Sequence, residues 1–277
     1  MTKVATVDYH YRSGTVEALA RSLIVASTLH SGKGPFQLPM TSVQALALGR
    51  ALEWAARMQA THAAREAALA AGAIPATLGY RGFEHSCCTS INHVICHGIP
   101  GPKPLKDGDI VNIDVTVIVD GWHGDTSRMY LVGDVPIKAR RLVDVTYECL
   151  MLGIEQAKPG NRMGDVAHAI QKHAEAHRYS VVRDFCGHGV GRLFHDAPEV
   201  VHAGQPGTGP ELRPGMFFTI EPMINAGKYA IKILDDGWTA VSRDRSLSAQ
   251  FEHSIGITEN GCEIFTQSAR GWHAPPY

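Results

Sequence analysis

Two carboxylates in one short stretch are placed to do chemistry together. In DIVNIDVTVIVDGWHGDTSRMY, residues 109–130, Val111, Ile113, Val115, Val117 and Val119 alternate with Asn112, Asp114, Thr116, Ile118 and Asp120. A period of two is that of a half-buried β-strand. Asp120-Gly121 is a hairpin dipeptide. Folding back there sets Asp125 opposite Thr116 and diagonal to Asp114, roughly 7–8 Å away at Cα. Bare carboxylates so placed repel, and one must stay protonated unless a cation intervenes.

Three residues downstream fit the same chemistry. His188 is bracketed by Gly187, Gly189 and Gly191 in FCGHGVGRLFHDAPE. Glycines on alternate residues predict a close backbone approach to a tightly held ligand; the spacing is not the GxGxxG of a dinucleotide loop. Glu221 falls in the apolar stretch Met216–Ile224, in a strand ended by Pro222, where a buried charge needs a partner. Glu252 falls in a strand predicted over Ser248–Thr258, with Gln250 and Ser254 on its face and Phe251, His253, Ile255 and Ile257 on the other. Four carboxylates carry a charge of −4, which two dications would neutralise. Oxygen-rich ligation with one imidazole suits Mn, Fe, Co or Zn better than a thiolate site. Two such ions about 3.5–4 Å apart form a hydrolytic arrangement.

The elements that must hold these residues follow from the rest of the chain. With 277 residues, 44% of them hydrophobic, it is long enough for one large domain with a substantial core. A net charge of −1 points to neither a nucleic-acid nor a membrane partner, and no apolar run is long enough to span a bilayer. The opening MTKVATVDYHYRS lacks the apolar core of a signal peptide, and the six cysteines show no disulfide-like spacing. Both features predict reduced thiols and a cytoplasmic location.

Helices are predicted at Thr15–Leu29, from Thr41 or Ser42 towards Ala71, at Pro136–Ala157 and at Met163–Ala176. Ser31–Met40 reads as a loop, and Lys158-Pro159-Gly160 separates the last two helices. A strand is predicted after Ser86, closed by the turn His97-Gly98-Ile99-Pro100. HAEAH at His173–His177 is not HExxH, because Ala174 stands where the Glu is required; it reads as helix surface.

The ordered motifs CHGIP, NIDVT–DGWHGDTS, GHGVGRLFH, FTIEPM and SAQFEH closely resemble those of type I methionine aminopeptidases, from about Ala76 onwards. The resemblance implies an α+β pita-bread fold: a curved antiparallel sheet, helices on its outer face, and two pseudo-symmetric halves enclosing the metals. It implies that Asp114, Asp125, His188, Glu221 and Glu252 ligate two divalent ions (Co, Mn, Fe, Zn or Ni). It gives catalytic roles to His97, His195 and Glu221, and a methionine slot to Tyr80, Phe83, Cys88, Phe194 and Trp238, with His97 and His195 contacting substrate. Phe83 replaces a Tyr frequent in relatives. A monovalent cation site maps onto Asn92, Val94 and Ser248; His93 is given no role.

The implied activity is removal of methionine from nascent polypeptides, preferably before a small residue, by a monomer acting at the ribosome. A non-catalytic pita-bread binding protein and a prolidase-like X-Pro peptidase are the alternatives. The first quarter departs from the pattern. No turn like Lys158-Pro159-Gly160 precedes Ala76, so residues 1–75 read as an atypical helical segment, divergent or out of frame, before a catalytic domain at 76–277.

Overall fold

The computed structural model describes residues 60–268 and 274–275. The helix predicted at Thr15–Leu29, the loop at Ser31–Met40 and the start of the next helix lie outside them. The end of that second helix is α1, residues 60–70. Five strands follow: β1 (Ile74–Pro75), β2 (Cys88–Ile91), β3 (Val94–Cys96), β4 (Ile110–Val119) and β5 (Trp122–Leu131). Helices α2 (Ile137–Gln156) and α3 (Met163–Ala176) come next, within a residue of the predicted bounds. The remaining strands are β6 (Ser180–Val181), β7 (Gly187–Gly189), β8 (Asp196–Val200), β9 (Phe217–Ile220), β10 (Met223–Asn225), β11 (Ile231–Ile233), β12 (Ala240–Ser242), β13 (Ser248–Gln250), β14 (Glu252–Ile257) and β15 (Cys262–Ile264).

A nine-stranded sheet in the order β1-β4-β5-β14-β9-β7-β8, with β2 beside β4 and β15 beside β14, forms the frame. Every pairing in it is antiparallel. The β4–β5 hairpin closes on Asp120-Gly121, both at positive φ (51° and 79°), with Val119 paired to Trp122. Two left-handed residues are what a tight two-residue hairpin turn requires. The register puts Thr116 opposite Asp125, as the alternation predicted.

Alternation also sorts the two faces. Val111, Ile113, Val115 and Val117 of β4 pack against Ala60, Ala64 and Ala68 of α1, whose small side chains let the helix sit close to the sheet. The first half of the sheet is therefore covered. The second half is covered by α2 and α3: Leu142, Leu150, Val166 and Ile170 pack on Phe218, Ile220, Phe251 and Ile255. The two helices touch at Gly153, where a Cβ would meet Ile170 Cδ1 at 2.8 Å.

Three stretches are each divided between two sheets. The strand after Ser86 is β2 and β3, which belong to different sheets, with Asn92 at φ 55° between them. Met216–Ile224 divides at Glu221-Pro222 into β9 in the large sheet and β10 in a small one (β13-β10-β6). Proline has no N–H for a ladder, so the chain changes sheets there. Ser248–Thr258 divides at Phe251 in the same way, into β13 and β14. Glu221 therefore sits at a strand exit and Glu252 at a strand start.

Candidate metal centre

Asp114, Asp125, Glu252, Glu221 and His188 lie on or just past β4, β5, β14, β9 and β7, which are consecutive neighbours in the large sheet. Asp114, Ser127 and Glu252 form one cross-strand row. Asp125 is two residues from Ser127, so it shares that face and lies diagonal to both acids. His253 pairs with Ile220, which brings Glu221 alongside Glu252. One ligand atom from each of Asp125, His188 and Glu252 lies within 4.8 Å of the others.

Neighbouring hydroxyls aim these groups. Thr116 donates to Asp125 Oδ1 at 2.7 Å and Thr219 to Glu221 Oε1 at 2.8 Å. Thr219 Oγ1 also accepts the backbone N–H of His188 at 3.0 Å. Gln250 donates to Glu221 Oε2 at 3.2 Å. His188 Nδ1 lies 3.0 Å from the Gly189 carbonyl, which can only accept, so Nδ1 carries the proton and Nε2 offers a lone pair. A carbonyl orienting the far nitrogen is the usual companion of a metal-bound imidazole.

The donor set fits a dication. His188 Nε2 is 3.6 Å from Asp125 Oδ2 and 3.7 Å from Glu221 Oε1. These gaps are too long for hydrogen bonds and close to the roughly 3–3.6 Å between atoms that ligate one ion at about 2.0–2.2 Å. Asp114 Oδ1 is buried without a hydrogen-bond partner. Burial, with the charges of Asp125 and Glu221, raises the Asp114 carboxyl well above its ordinary range, and burial beside Asp125, Glu221 and Asp114 does the same to Glu252. Glu221 is pushed up to about 7, chiefly by burial. His188 is also buried, which alone would lower it; the facing Asp125 and Glu221 instead carry it up to about 9. These acids are uncomfortable together and would be relieved by cations.

Around this cluster stand the other residues singled out in the sequence. Cys88 pairs with Asp114 across β2 and β4. Tyr80 lies 4.7 Å, ring to ring, from Phe194, and its hydroxyl is 2.9 Å from His195 Nδ1. Phe83 meets Trp238 edge-on at 5.1 Å, and Trp238 is 6.2 Å from His97. Desolvation and the nearby His188 push His195 down to about 4; burial lowers His97 as well. Ser248 N–H donates to the Asn92 carbonyl at 2.8 Å, and Ser248 Oγ is buried without a partner, while Val94 pairs with Val241.

The alternate glycines serve a purpose other than the one their pattern suggested. A Cβ at Gly187 would meet Thr219 O at 2.4 Å, and one at Gly189 would meet Ala197 O at 2.1 Å. Gly187 and Gly189 let neighbouring strands close on β7 and carry His188 to the acids; what these two approach is backbone.

His202 is a residue that the motifs did not reveal. It is 1% exposed, and its Nε2 accepts the N–H of Glu221 at 3.0 Å. Burial holds it neutral, down to about 3. Its position in a loop after β8 carries no local signal. Thr219, two residues before Glu221 on the same strand face, was legible in principle. Replacing His202 by Ala is expected to cost about 1–3 kcal/mol, because the Glu221 N–H loses its acceptor. Turnover should fall about tenfold as Glu221 loses its orientation. Thermal melts and kcat measured on the same preparation check both effects.

A model of metallopeptidase family M24 matches residues 41–259. A methionine aminopeptidase from Rickettsia prowazekii is 64% identical over 206 residues, 74% of this chain and 80% of that protein. Methionine aminopeptidase A from Synechocystis is 61% identical over 196 residues, 70% of this chain and 78% of that one. The crystal structure of the Rickettsia prowazekii methionine aminopeptidase superposes with a TM-score of 0.78 at 48% identity, covering 96% of this chain and all (100%) of that one. The shared architecture is the pita-bread fold, a curled antiparallel half-barrel flanked by helices. On the matched span and on identities of this size, the chain belongs to metallopeptidase family M24.

Proposed function

We propose that this chain is a methionine aminopeptidase. In this reading Asp114, Asp125, His188, Glu221 and Glu252 hold two divalent ions, drawn from Co, Mn, Fe, Zn and Ni. The substrates are N-termini of nascent polypeptides at the ribosome, preferably with a small second residue. The enzyme works as a monomer in the cytoplasm through a catalytic domain at 76–277, preceded by an atypical helical N-terminal segment, 1–75, whose α1 and β1 pack on the sheet. The observation that carries the reading is the meeting of acids and imidazole from five neighbouring strands on one face of one sheet, beside an aromatic slot.

Held by Asp114, Asp125, His188, Glu221 and Glu252, such ions would supply the Lewis acidity that lowers the pKa of an attacking water and polarises the scissile carbonyl. The protein's own groups supply the rest. Glu221, held by Thr219 and Gln250, accepts the proton of the water and returns it to the departing amine. With Tyr80 donating to His195 Nδ1, the neutral ring keeps its proton on Nε2 and offers it to the developing oxyanion. His97, like His195, hydrogen-bonds the scissile amide. Tyr80, Phe83, Cys88, Phe194 and Trp238 receive the unbranched thioether, with sulfur–aromatic contact favouring methionine. A monovalent cation beside Asn92, Val94 and Ser248 would satisfy the Ser248 hydroxyl.

Release of methionine from a Met-Ala-Ser peptide is the test. Release is expected to stop with chelator and return with Mn or Co. Absence of metal-dependent release would favour the non-catalytic binding protein, and cleavage of X-Pro dipeptides in its place would favour the prolidase-like reading.

A further inference from the structure

HAEAH at His173–His177 is not an isolated piece of helix surface. Antiparallel packing of α2 on α3, fixed where Gly153 meets Ile170 and Cys149 Sγ reaches Ile170 O at 3.7 Å, sets Glu148 opposite His173. Glu148 Oε2 lies 2.6 Å from His173 Nε2. His173 and His177, one turn apart, have ring centroids 4.5 Å from each other. One ligand atom from each of the three residues lies within 4.8 Å of the other two. His177 Nδ1 is 3.0 Å from the His173 carbonyl, so it carries the proton and leaves Nε2 with a free lone pair. That is the backbone bond which orients an imidazole for a metal.

We propose that Glu148, His173 and His177 form a second metal site, outside the catalytic centre, which takes a zinc-class dication and clamps α2 to α3. Two imidazoles and one carboxylate, with water in the fourth position, are a zinc donor set. The short contact between His173 and Glu148 is the ion-free form: the His173 Nε2 proton bridges to the carboxylate, and an ion takes its place as the proton leaves to solvent. One ligand, His173, comes from the last turn of α3, one, His177, from its C-cap and the third from α2, so the ion ties together the two helices that cover the second half of the sheet. The site does not depend on the proposed peptidase activity.

The test uses the full chain and zinc alone. Equilibrium dialysis is expected to show one more zinc equivalent bound by the wild type than by the His173→Gln/His177→Gln double variant. Glu148→Gln should weaken that equivalent at least about tenfold. Methionine release with added Mn should be the same in all three proteins, which also shows that the variants fold. With Mn present throughout, zinc should raise the melting temperature of the wild type more than that of the double variant, because exchange of zinc for Mn at the catalytic centre is common to both. Equal zinc equivalents in wild type and double variant would overturn the proposal, as would a zinc-induced melting shift of equal size in both.

Discussion

Glu252→Gln is expected to lower kcat/KM for methionine release about a thousandfold while making the metal-free protein more stable. Glu252 is 3% exposed, and this burial, together with Asp125, Glu221 and Asp114 beside it, raises its carboxyl well above the ordinary range. In the proposed ligation it would contribute charge and an oxygen to a centre whose Lewis acidity is worth several kcal/mol; a loss of about 4 kcal/mol corresponds to three orders of magnitude in rate. In the absence of metal the same carboxylate is a buried like charge, and an isosteric amide removes the repulsion. The gain should be about 1–3 kcal/mol near pH 8. Kinetics with saturating Mn and urea melts in chelator measure the two effects. A variant that lost activity and also lost metal-free stability would show that Glu252 is held by protein contacts and is not waiting for a cation.

The second large effect is a stability that falls with pH only when metal is absent. Asp114, Glu221 and Glu252 all have folded values raised above their unfolded ones, Glu221 to about 7. Their contribution is complete below the unfolded carboxyl range and is lost as pH rises through the folded values. His188, raised to about 9, has the same sign: its contribution is present below 6.5 and disappears as pH climbs through 9. His195 and His202, lowered to about 4 and about 3, act oppositely, but only as pH falls below 6.5. The clean window is therefore pH 6.5 to 9. Across it the chelated protein should lose about 2–4 kcal/mol, or about 5–10 °C in melting temperature. A divalent ion that neutralises the acids should flatten the slope and raise the midpoint throughout. Parallel profiles with and without metal would show that these groups are not the ligands.

Much of this site was written locally. Val111 to Val119 alternate with Asn112, Asp114 and Thr116, and Asp120-Gly121 supplies two residues able to take positive φ. Pleat and turn together fix which residues oppose which, so the pairing of Thr116 with Asp125 could be read from the chain. The helices on either side of Lys158-Pro159-Gly160 were equally legible, because apolar spacing and a proline-glycine break are short-range facts.

What the chain alone determined is the kind of groups present, the strand faces that carry them, and, through ordered motifs, the family to which they belong. Only the tertiary structure decided where Met216–Ile224 and Ser248–Thr258 change sheets, because the partners on either side of Pro222 and Phe251 come from distant segments. The acceptor that His202 gives to Glu221 and the meeting of Glu148 with His173 were likewise invisible in the sequence. A buried N–H must find an acceptor and packed helices must settle into one register. Which residue answers either demand depends on contacts between segments far apart in the chain, and no local periodicity records them.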